Sequence, residues 1–133
     1  TLRLWDVATG RCLHVQKEGH VGSHTVAFSP DGATLAYGGD DFAIYLWRWR
    51  TDAAPLALQG HTGLTFSLDF SPTAPLLVSC SVDNSLRLWD LTTYRCCQVL
   101  CTPGPYAGMQ ITGVTGISEA QKAALRALGA VAE

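Results

Sequence analysis

The twelve residues SCSVDNSLRLWD, positions 79–90, decide the fold, because earlier parts of the chain repeat their order at a fixed spacing. Tryptophan recurs every 42 positions, the tripeptide Phe-Ser-Pro also recurs after 42, and Gly-His recurs after 41. The copies are Trp5, Trp47 and Trp89, Phe-Ser-Pro at 28–30 and 70–72, and Gly-His at 19–20 and 60–61. A period of about 40–45 residues that begins with Gly-His and ends with Trp-Asp is typical of four-stranded propeller blades.

Each period divides into four short apolar strands separated by turn residues. The clearest turn is Ser-Pro-Asp-Gly at 29–32, in which proline fixes φ and glycine supplies positive φ. Apolar residues occur on both faces of the strands, which fits sheets covered on both sides. The expected strands are 2–5 and 12–16, then 25–29, 34–38, 43–49 and 55–58, then 66–70, 76–80, 85–89 and 96–100.

The sequence therefore predicts an all-β chain, a partial β-propeller with two complete antiparallel blades, one partial blade and a short C-terminal helix. The predicted parts are a partial blade at 1–18 (strands c and d), blades at 19–59 and 60–102, and an extension at 103–133 with a helix at about 118–128. Ser118 and Gln121 form a capping box at the start of that helix. Because residue 1 lies inside a strand, we interpret the chain as a fragment of a longer protein.

Composition narrows the classes of function. The 133 residues are 47% hydrophobic and carry a net charge of −2, which argues against a nucleic-acid platform. No apolar run is long enough for a membrane span, and no charged start followed by an apolar stretch marks a signal peptide in these residues. The five cysteines lack the spacing of a zinc site or a disulfide framework, so we interpret them as small buried side chains in a reducing compartment. No cofactor or metal and a cytoplasmic location are expected.

The order Gly-His, Phe-Ser-Pro, Ser-x-Ser-x-Asp and Leu-x-Leu-Trp-Asp resembles the WD-repeat family over about the first 100 residues. In that family a His, a Ser or Thr, an Asp and the Trp form a hydrogen-bonded tetrad in each blade. The resemblance places the second-blade tetrad at His61, Ser79, Asp83 and Trp89. Asp83 can fix the His61 tautomer, His61 can hold Ser79, and Ser79 can accept the Trp89 indole N–H. The chain of hydrogen bonds would satisfy polar groups that are otherwise buried unpaired.

The first blade departs from this pattern. His20, Asp41 and Trp47 are in the tetrad positions, but Tyr37 replaces the serine. In addition, Trp47 is followed by Arg48, whereas the repeat has aspartate after the tryptophan. We therefore expect a looser or rewired network in this blade.

Three other residue patterns have alternative interpretations. His61, Ser79 and Asp83 are the residue types of a nucleophilic triad, but their spacing fits the structural repeat better. The run 48–50, Arg-Trp-Arg, either grips an acidic partner or stacks on a base, or it is a strand end entering a solvated turn. The single histidines at 14 and 24 are interpreted as exposed or satisfied side chains instead of metal ligands.

Partner binding in the family usually involves the face lined by the d–a and b–c loops. By position, the resemblance assigns to this face a polar set in the first blade and an apolar set in the second. The polar set is Ser23, His24 and Asp40, and the apolar set is Leu64, Phe66 and Val82. Exposed, the apolar set would suit an interface hot spot; alternatively, Phe66 packs under its own loop.

The tail resembles the C-terminal end of long bacterial WD-repeat proteins that are often fused to a STAND-type signalling ATPase. The chain itself has no phosphate-binding Gly-Lys-Ser/Thr loop. The leading hypothesis is a non-catalytic platform that binds a protein or peptide and is formed by the C-terminal blades of a larger propeller. If the parent protein is such an ATPase, these blades are its sensor end. One alternative is a structural fragment that completes a ring by self-association of several chains. A propeller-based enzyme is the other.

Overall fold

The computed structural model describes residues 1–16, 22–51, 53–101, 110–112, 115–116, 118–128 and 130–131. The chain forms two compact units, Thr1–Leu100 and Cys101–Glu133. The first unit holds the β-sheets, and the second holds one helix.

In the described ranges, ten strands form three sheets, one with two strands and two with four. Within each four-stranded sheet the strands lie side by side in chain order, which is the meander of a propeller blade. The predicted fold class is confirmed, and the observed strand ends lie within two residues of the predicted ones. The strands are β1 Leu2–Trp5, β2 Cys12–Gln16, β3 Ser23–Phe28, β4 Leu35–Gly39, β5 Ile44–Trp47, β6 Leu56–Leu58, β7 Thr65–Phe70, β8 Leu76–Ser81, β9 Ser85–Asp90 and β10 Arg95–Cys101.

The meander gives each blade two ends, which we call the upper face and the lower face and define by the turns they carry. The upper face carries the β4–β5 and β8–β9 turns and the starts of β3 and β7. The lower face carries the β3–β4, β5–β6, β7–β8 and β9–β10 connections. The upper face is the one that the sequence assigns to partner binding.

The hydrophobic core lies on both sides of the first blade, because the strand β5 alternates its apolar side chains. Ile44 and Leu46 are buried in a cluster shared with second-blade residues such as Leu77 and Trp89. Trp47, one residue further on, belongs to a separate cluster on the other side of the sheet. The predicted alternation along β5 is therefore the physical reason that blades stack on both faces.

The three repeat tryptophans differ in exposure. Trp89 and Trp47 are 1% and 5% exposed, whereas Trp5 is 51% exposed. Within the described residues, the sheet that contains Trp5 consists of β1 and β2, equivalent to strands c and d of a blade. The side chain that should be covered by strand b of that blade is half open to solvent.

The helix α1 spans Glu119–Ala127 and has the capping box that the sequence predicts. The Ser118 hydroxyl accepts from the Gln121 amide at 3.2 Å, and the Ser118 amide donates to Gln121 Oε1 at 2.8 Å. The glycine at position 129 is the residue type that suits a left-handed cap after this helix, but it lies outside the described residues. Ile111 N–H donates to the Val131 carbonyl at 3.0 Å, which closes this unit with a parallel bridge.

The prediction that the cysteines are buried is wrong for three of the five. Cys12, Cys97 and Cys101 are exposed, and Cys80 and Cys96 are partly buried. The exposed ones lie on β2 and β10, the last strands of their sheets, where side chains have a strand neighbour on one side only.

Candidate functional site

A chain of buried hydrogen bonds links strands of the second blade. Trp89 Nε1 donates to Ser79 Oγ at 2.8 Å, and Ser79 Oγ lies 2.7 Å from His61 Nε2. His61 Nδ1 lies 2.9 Å from Asp83 Oδ2. Because the carboxylate only accepts, Nδ1 carries the proton, and the Nε2 of a neutral ring then accepts from the Ser79 hydroxyl. The structure thus brings together the four side chains that the resemblance assigns to this tetrad.

Asp83 also joins the β8–β9 turn to the loop that precedes β7. Its Oδ2 accepts from the Thr62 amide at 3.0 Å, and its Oδ1 accepts from the Ser85 amide at 2.9 Å and the Ser85 hydroxyl at 2.6 Å. Burial raises the pKa of Asp83, but the hydrogen bonds from Ser85, Thr62 and His61 outweigh it and hold this pKa well below its usual range. The carboxylate is therefore ionised and fixed in place at neutral pH.

The tetrad has the connectivity of an Asp-His-Ser triad, but its serine cannot be reached. Ser79 is 0% exposed, and its oxygen already accepts the indole N–H of Trp89. A nucleophile must approach an electrophilic atom of a substrate, and this geometry offers no such approach.

The first blade has a different polar network at the equivalent positions. Tyr45 Oη donates to Asp41 Oδ2 at 2.6 Å, and the Tyr37 and Tyr45 rings stack with their centroids 5.3 Å apart. Burial and the hydrogen bond to Asp41 raise the pKa of Tyr45 to about 12. Trp47 is buried beside Tyr37. His20, the fourth predicted member, lies outside the described residues.

The polar set of the upper face is organised by a hydrogen bond between His24 and Asp40. His24 Nε2 lies 2.5 Å from Asp40 Oδ1, and both side chains are more than one third exposed. Ser23, next to His24, is also exposed. Gly22 has φ of +67°, and a Cβ there would lie 2.5 Å from Asp40 Oδ2, so glycine is required for this close approach.

Two β-bulges place His24 and Phe66 on this face. The register between β3 and β4 skips His24, because Ser23 pairs with Gly39 and Thr25 with Gly38. The register between β7 and β8 skips Phe66 in the same way, 42 residues later. A bulged residue is not paired in the ladder, and the bulge re-aims its side chain.

The apolar set of the upper face is largely exposed, and the bulge in β7 turns Phe66 outward. Phe66 and Val82 are each 57% exposed, and Leu64 is half-buried. The alternative in which Phe66 packs under its own loop does not fit this exposure. The Val82 amide donates to the Leu64 carbonyl at 3.0 Å, which ties the two loops together.

Phe42 joins this face although the sequence did not single it out. It is 40% exposed and has φ of +65°, in the left-handed region that a bulky side chain rarely adopts. The equivalent residue of the second blade, Asn84, has φ of +62° and is a residue type common in that region. The signal in the sequence was an aromatic residue at the turn position where the sister repeat has asparagine.

The described residues contain no group of three or more His, Cys, Asp and Glu side chains that could hold a metal ion. Among these same residues, no helix is long and apolar enough to cross a membrane.

Comparison with known proteins identifies the repeats. The model "WD domain, G-beta repeat" matches residues 10–48 and 55–90, together more than half of the chain. "Nuclear distribution protein PAC1" of Ajellomyces capsulatus is 42% identical over 67 residues, which cover 49% of this chain and 15% of that protein. "Periodic tryptophan protein 2" of Arabidopsis thaliana is 28% identical over 111 residues, which cover 84% of this chain and 12% of that protein. The chain thus spans less than a fifth of the length of either relative.

Solved structures agree with the fold. The crystal structure of RRP9 WD40 repeats superposes with a TM-score of 0.69 at 28% identity, covering 76% of this chain and 32% of that one. The structure of U3-55K superposes with a TM-score of 0.68, also at 28% identity, covering 75% and 32%. From the matched repeats, the blade architecture and these likenesses, the chain belongs to the WD domain, G-beta repeat family.

Proposed function

We propose that this chain is a non-catalytic protein-interaction platform whose upper face binds a protein or peptide partner. The observation that carries the proposal is the pair of equivalent bulges that turn His24 and Phe66 out of their sheets. Membership of the WD-repeat family indicates an interaction scaffold in general. The buried Ser79 supports a structural role for the tetrad over catalysis.

The chemistry of the upper face favours a partner with both an apolar and a polar part. Phe42, Phe66 and Val82 offer exposed apolar surface, and aromatic anchors commonly dominate interface energetics. Ser23, His24 and Asp40 add polar side chains to the same face, with His24 and Asp40 hydrogen-bonded to each other. Phe42 keeps an unfavourable backbone conformation with its ring exposed, a form of strain that clusters at binding sites.

The test is site-specific photo-crosslinking in cells with benzoylphenylalanine at position 66, compared with position 73 on the lower face, where Thr73 is also exposed. The expected result is a discrete crosslinked product from position 66 only, which is lost when Val82→Asp is added. Equal products from both positions, or a product that survives Val82→Asp, would contradict the proposal. Because Val82 is 57% exposed, the second change should leave the fold intact.

The alternative of ring completion by further blades is favoured by one observation, the half-exposed Trp5. Val26 and Phe28 of β3 are also half exposed. We propose that the sheet of β1 and β2 is completed either by further blades of the same protein or by a second copy of this chain. Analytical ultracentrifugation of the 133-residue chain is the test: self-association or aggregation is expected, and a stable single-species monomer would exclude it.

Further parts of the sequence interpretation also remain proposals. We propose blade boundaries at 18/19, 59/60 and 102/103 and a cytoplasmic location. A role as the sensor end of a signalling ATPase rests on the resemblance of the tail alone; the relatives named above come from a fungus and a plant and give it no support. The sequence of the parent gene upstream of Thr1 would test it, since an ATPase module there is required.

A further inference from the structure

The lower face has a cavity between the two complete blades. Its volume is about 450 Å³, within the usual range for ligand sites. The apolar part of its lining comes from both blades, and Asp31, Arg48 and Tyr94 are among the polar lining residues. The apolar lining residues are Leu46, Ala53, Ala54, Leu56, Phe70 and Leu91.

Arg48 occupies a position that is aspartate in the other two repeats. Asp6 accepts from the Thr9 amide at 2.8 Å, and Asp90 accepts from the Thr92 amide at 2.7 Å, so each closes its own turn after the tryptophan strand. An arginine cannot accept these bonds. Arg48 instead crosses to the neighbouring blade, where its Nη2 donates to Tyr94 Oη at 2.8 Å.

Tyr94 is a second departure from the repeat at the same cavity. It has φ of +57°, and the equivalent residue of the partial blade is Gly10, with φ of +67°. This left-handed backbone conformation is sterically strained for a tyrosine but not for a glycine, which has no Cβ. Both irregular residues of these turns, Arg48 and Tyr94, therefore meet at the rim of one cavity.

The guanidinium of Arg48 at the rim has no carboxylate partner within the part of the chain that the structure describes. The Arg48 side chain is exposed, its hydrogen bond goes to a neutral hydroxyl, and it forms no salt bridge within the described residues. The carboxylate of Asp31 accepts from the Ser29 hydroxyl and the Ala33 amide, and these bonds lower its pKa. The cavity thus presents an apolar floor, a guanidinium and a fixed acceptor.

We propose that this cavity binds a short segment of a partner protein in which an acidic side chain is flanked by aliphatic or aromatic residues. Arg48 pairs with the carboxylate, and the apolar side chains of the segment fill the space over Leu46 and Phe70. A peptide fits better than a fatty acid, because its amide groups can donate to Asp31. The neighbouring strand β6 is also the last strand of its sheet, with main-chain groups that an extended peptide can pair.

The experiment is fluorescence anisotropy with the full-length protein and a set of amidated fluorescent peptides. Each peptide has one glutamate flanked on both sides by Leu, Ile, Val or Phe, and each has a twin with glutamine in its place. The variants are Arg48→Gln and Arg48→Asp, and the matched control is Arg11→Gln, which removes an exposed arginine from the equivalent turn of the partial blade. Arg48→Asp restores the residue found in the sister repeats, so it should fold normally, which circular dichroism checks.

Saturable binding is expected for at least one glutamate peptide, with affinity at least about tenfold higher than that of its glutamine twin. Arg48→Gln should lower the affinity for the glutamate peptide by about that factor, and Arg48→Asp should lower it further. Arg11→Gln should change this affinity by less than about twofold. The proposal is overturned if binding of every peptide in the set fails to saturate by about 1 mM, or if the glutamate and glutamine twins bind equally. It is also overturned if Arg11→Gln weakens binding as much as Arg48→Gln does. It is also overturned if decanoate binds in an Arg48-dependent way while no peptide does, since that result assigns the cavity to fatty acids.

Discussion

Removing the Ser79 hydroxyl should destabilise the second blade strongly. The change Ser79→Ala leaves two buried groups without their partner, the indole N–H of Trp89 and Nε2 of His61, whose residues are 1% and 7% exposed. A buried polar group left unpaired costs about 1–3 kcal/mol, so the expected loss in the free energy of unfolding is about 2–4 kcal/mol. The loss comes from desolvated polar atoms, because alanine fills almost the same space as serine.

Urea unfolding monitored by circular dichroism measures this loss on a preparation that sediments as a single species. With an m-value of about 1–2 kcal/mol/M, the midpoint should fall by about 1–4 M. The matched control is Ser67→Ala on β7, where the serine is exposed and the midpoint should move by less than about 0.3 M.

A double-mutant cycle shows whether the hydroxyl acts through the indole. In a Trp89→Phe background, Ser79→Ala should cost less by about 1–2 kcal/mol, because the indole donor is already gone. The reasoning is refuted if Ser79→Ala behaves like Ser67→Ala, or if its cost is the same in both backgrounds.

Three further changes test other contacts. Because the pKa of Asp83 is held below its unfolded value, its contribution to stability is full above about pH 4 and is lost as the pH falls further. Asp83→Asn should therefore have a lower urea midpoint at pH 7, and this midpoint should fall less steeply in acid than that of the unchanged protein. Because the pKa of Tyr45 is raised to about 12, its contribution to stability is full below about pH 10 and is lost between pH 10 and 12; ultraviolet absorbance should show a late-titrating component that Tyr45→Phe removes. Gly38→Ala should lower the thermal midpoint by the equivalent of about 1–3 kcal/mol, because its Cβ would lie 2.9 Å from Thr65 Cβ in the next blade, whereas a change of less than about 0.5 kcal/mol would show that the blades separate easily.

The sequence predicted the parts of the fold that follow from periodic side chains. The 42-residue spacing located ten strands, because blades of one family reuse the same strand and turn lengths. The resemblance to the WD-repeat family implied that His61, Ser79 and Asp83 share one tetrad, and the structure brings them into hydrogen-bond contact. The assignment of these residues and of the upper face to their roles stays a prediction.

The β-bulges and the positive φ values of the backbone could not be predicted from the sequence. The bulges at His24 and Phe66 depend on how two strands register with each other, and no residue type marks them. The positive φ of Phe42 and Tyr94 likewise contradicts local preference and is imposed by the neighbouring strands. The pairing of Arg48 with Tyr94 spans 46 positions along the chain and depends on the contact between blades.

The bonds that Asp83 makes to Thr62 and Ser85 have a consequence for the thermodynamics of recognition. A carboxylate that holds both upper loops of the second blade removes their conformational freedom before any partner arrives. A partner that docks against Phe66 and Val82 therefore does not have to order these loops, and more of the contact energy remains as affinity. In the first blade the equivalent contact, between His24 and Asp40, is more than one third exposed at both side chains, so that part of the surface is held less firmly before a partner arrives.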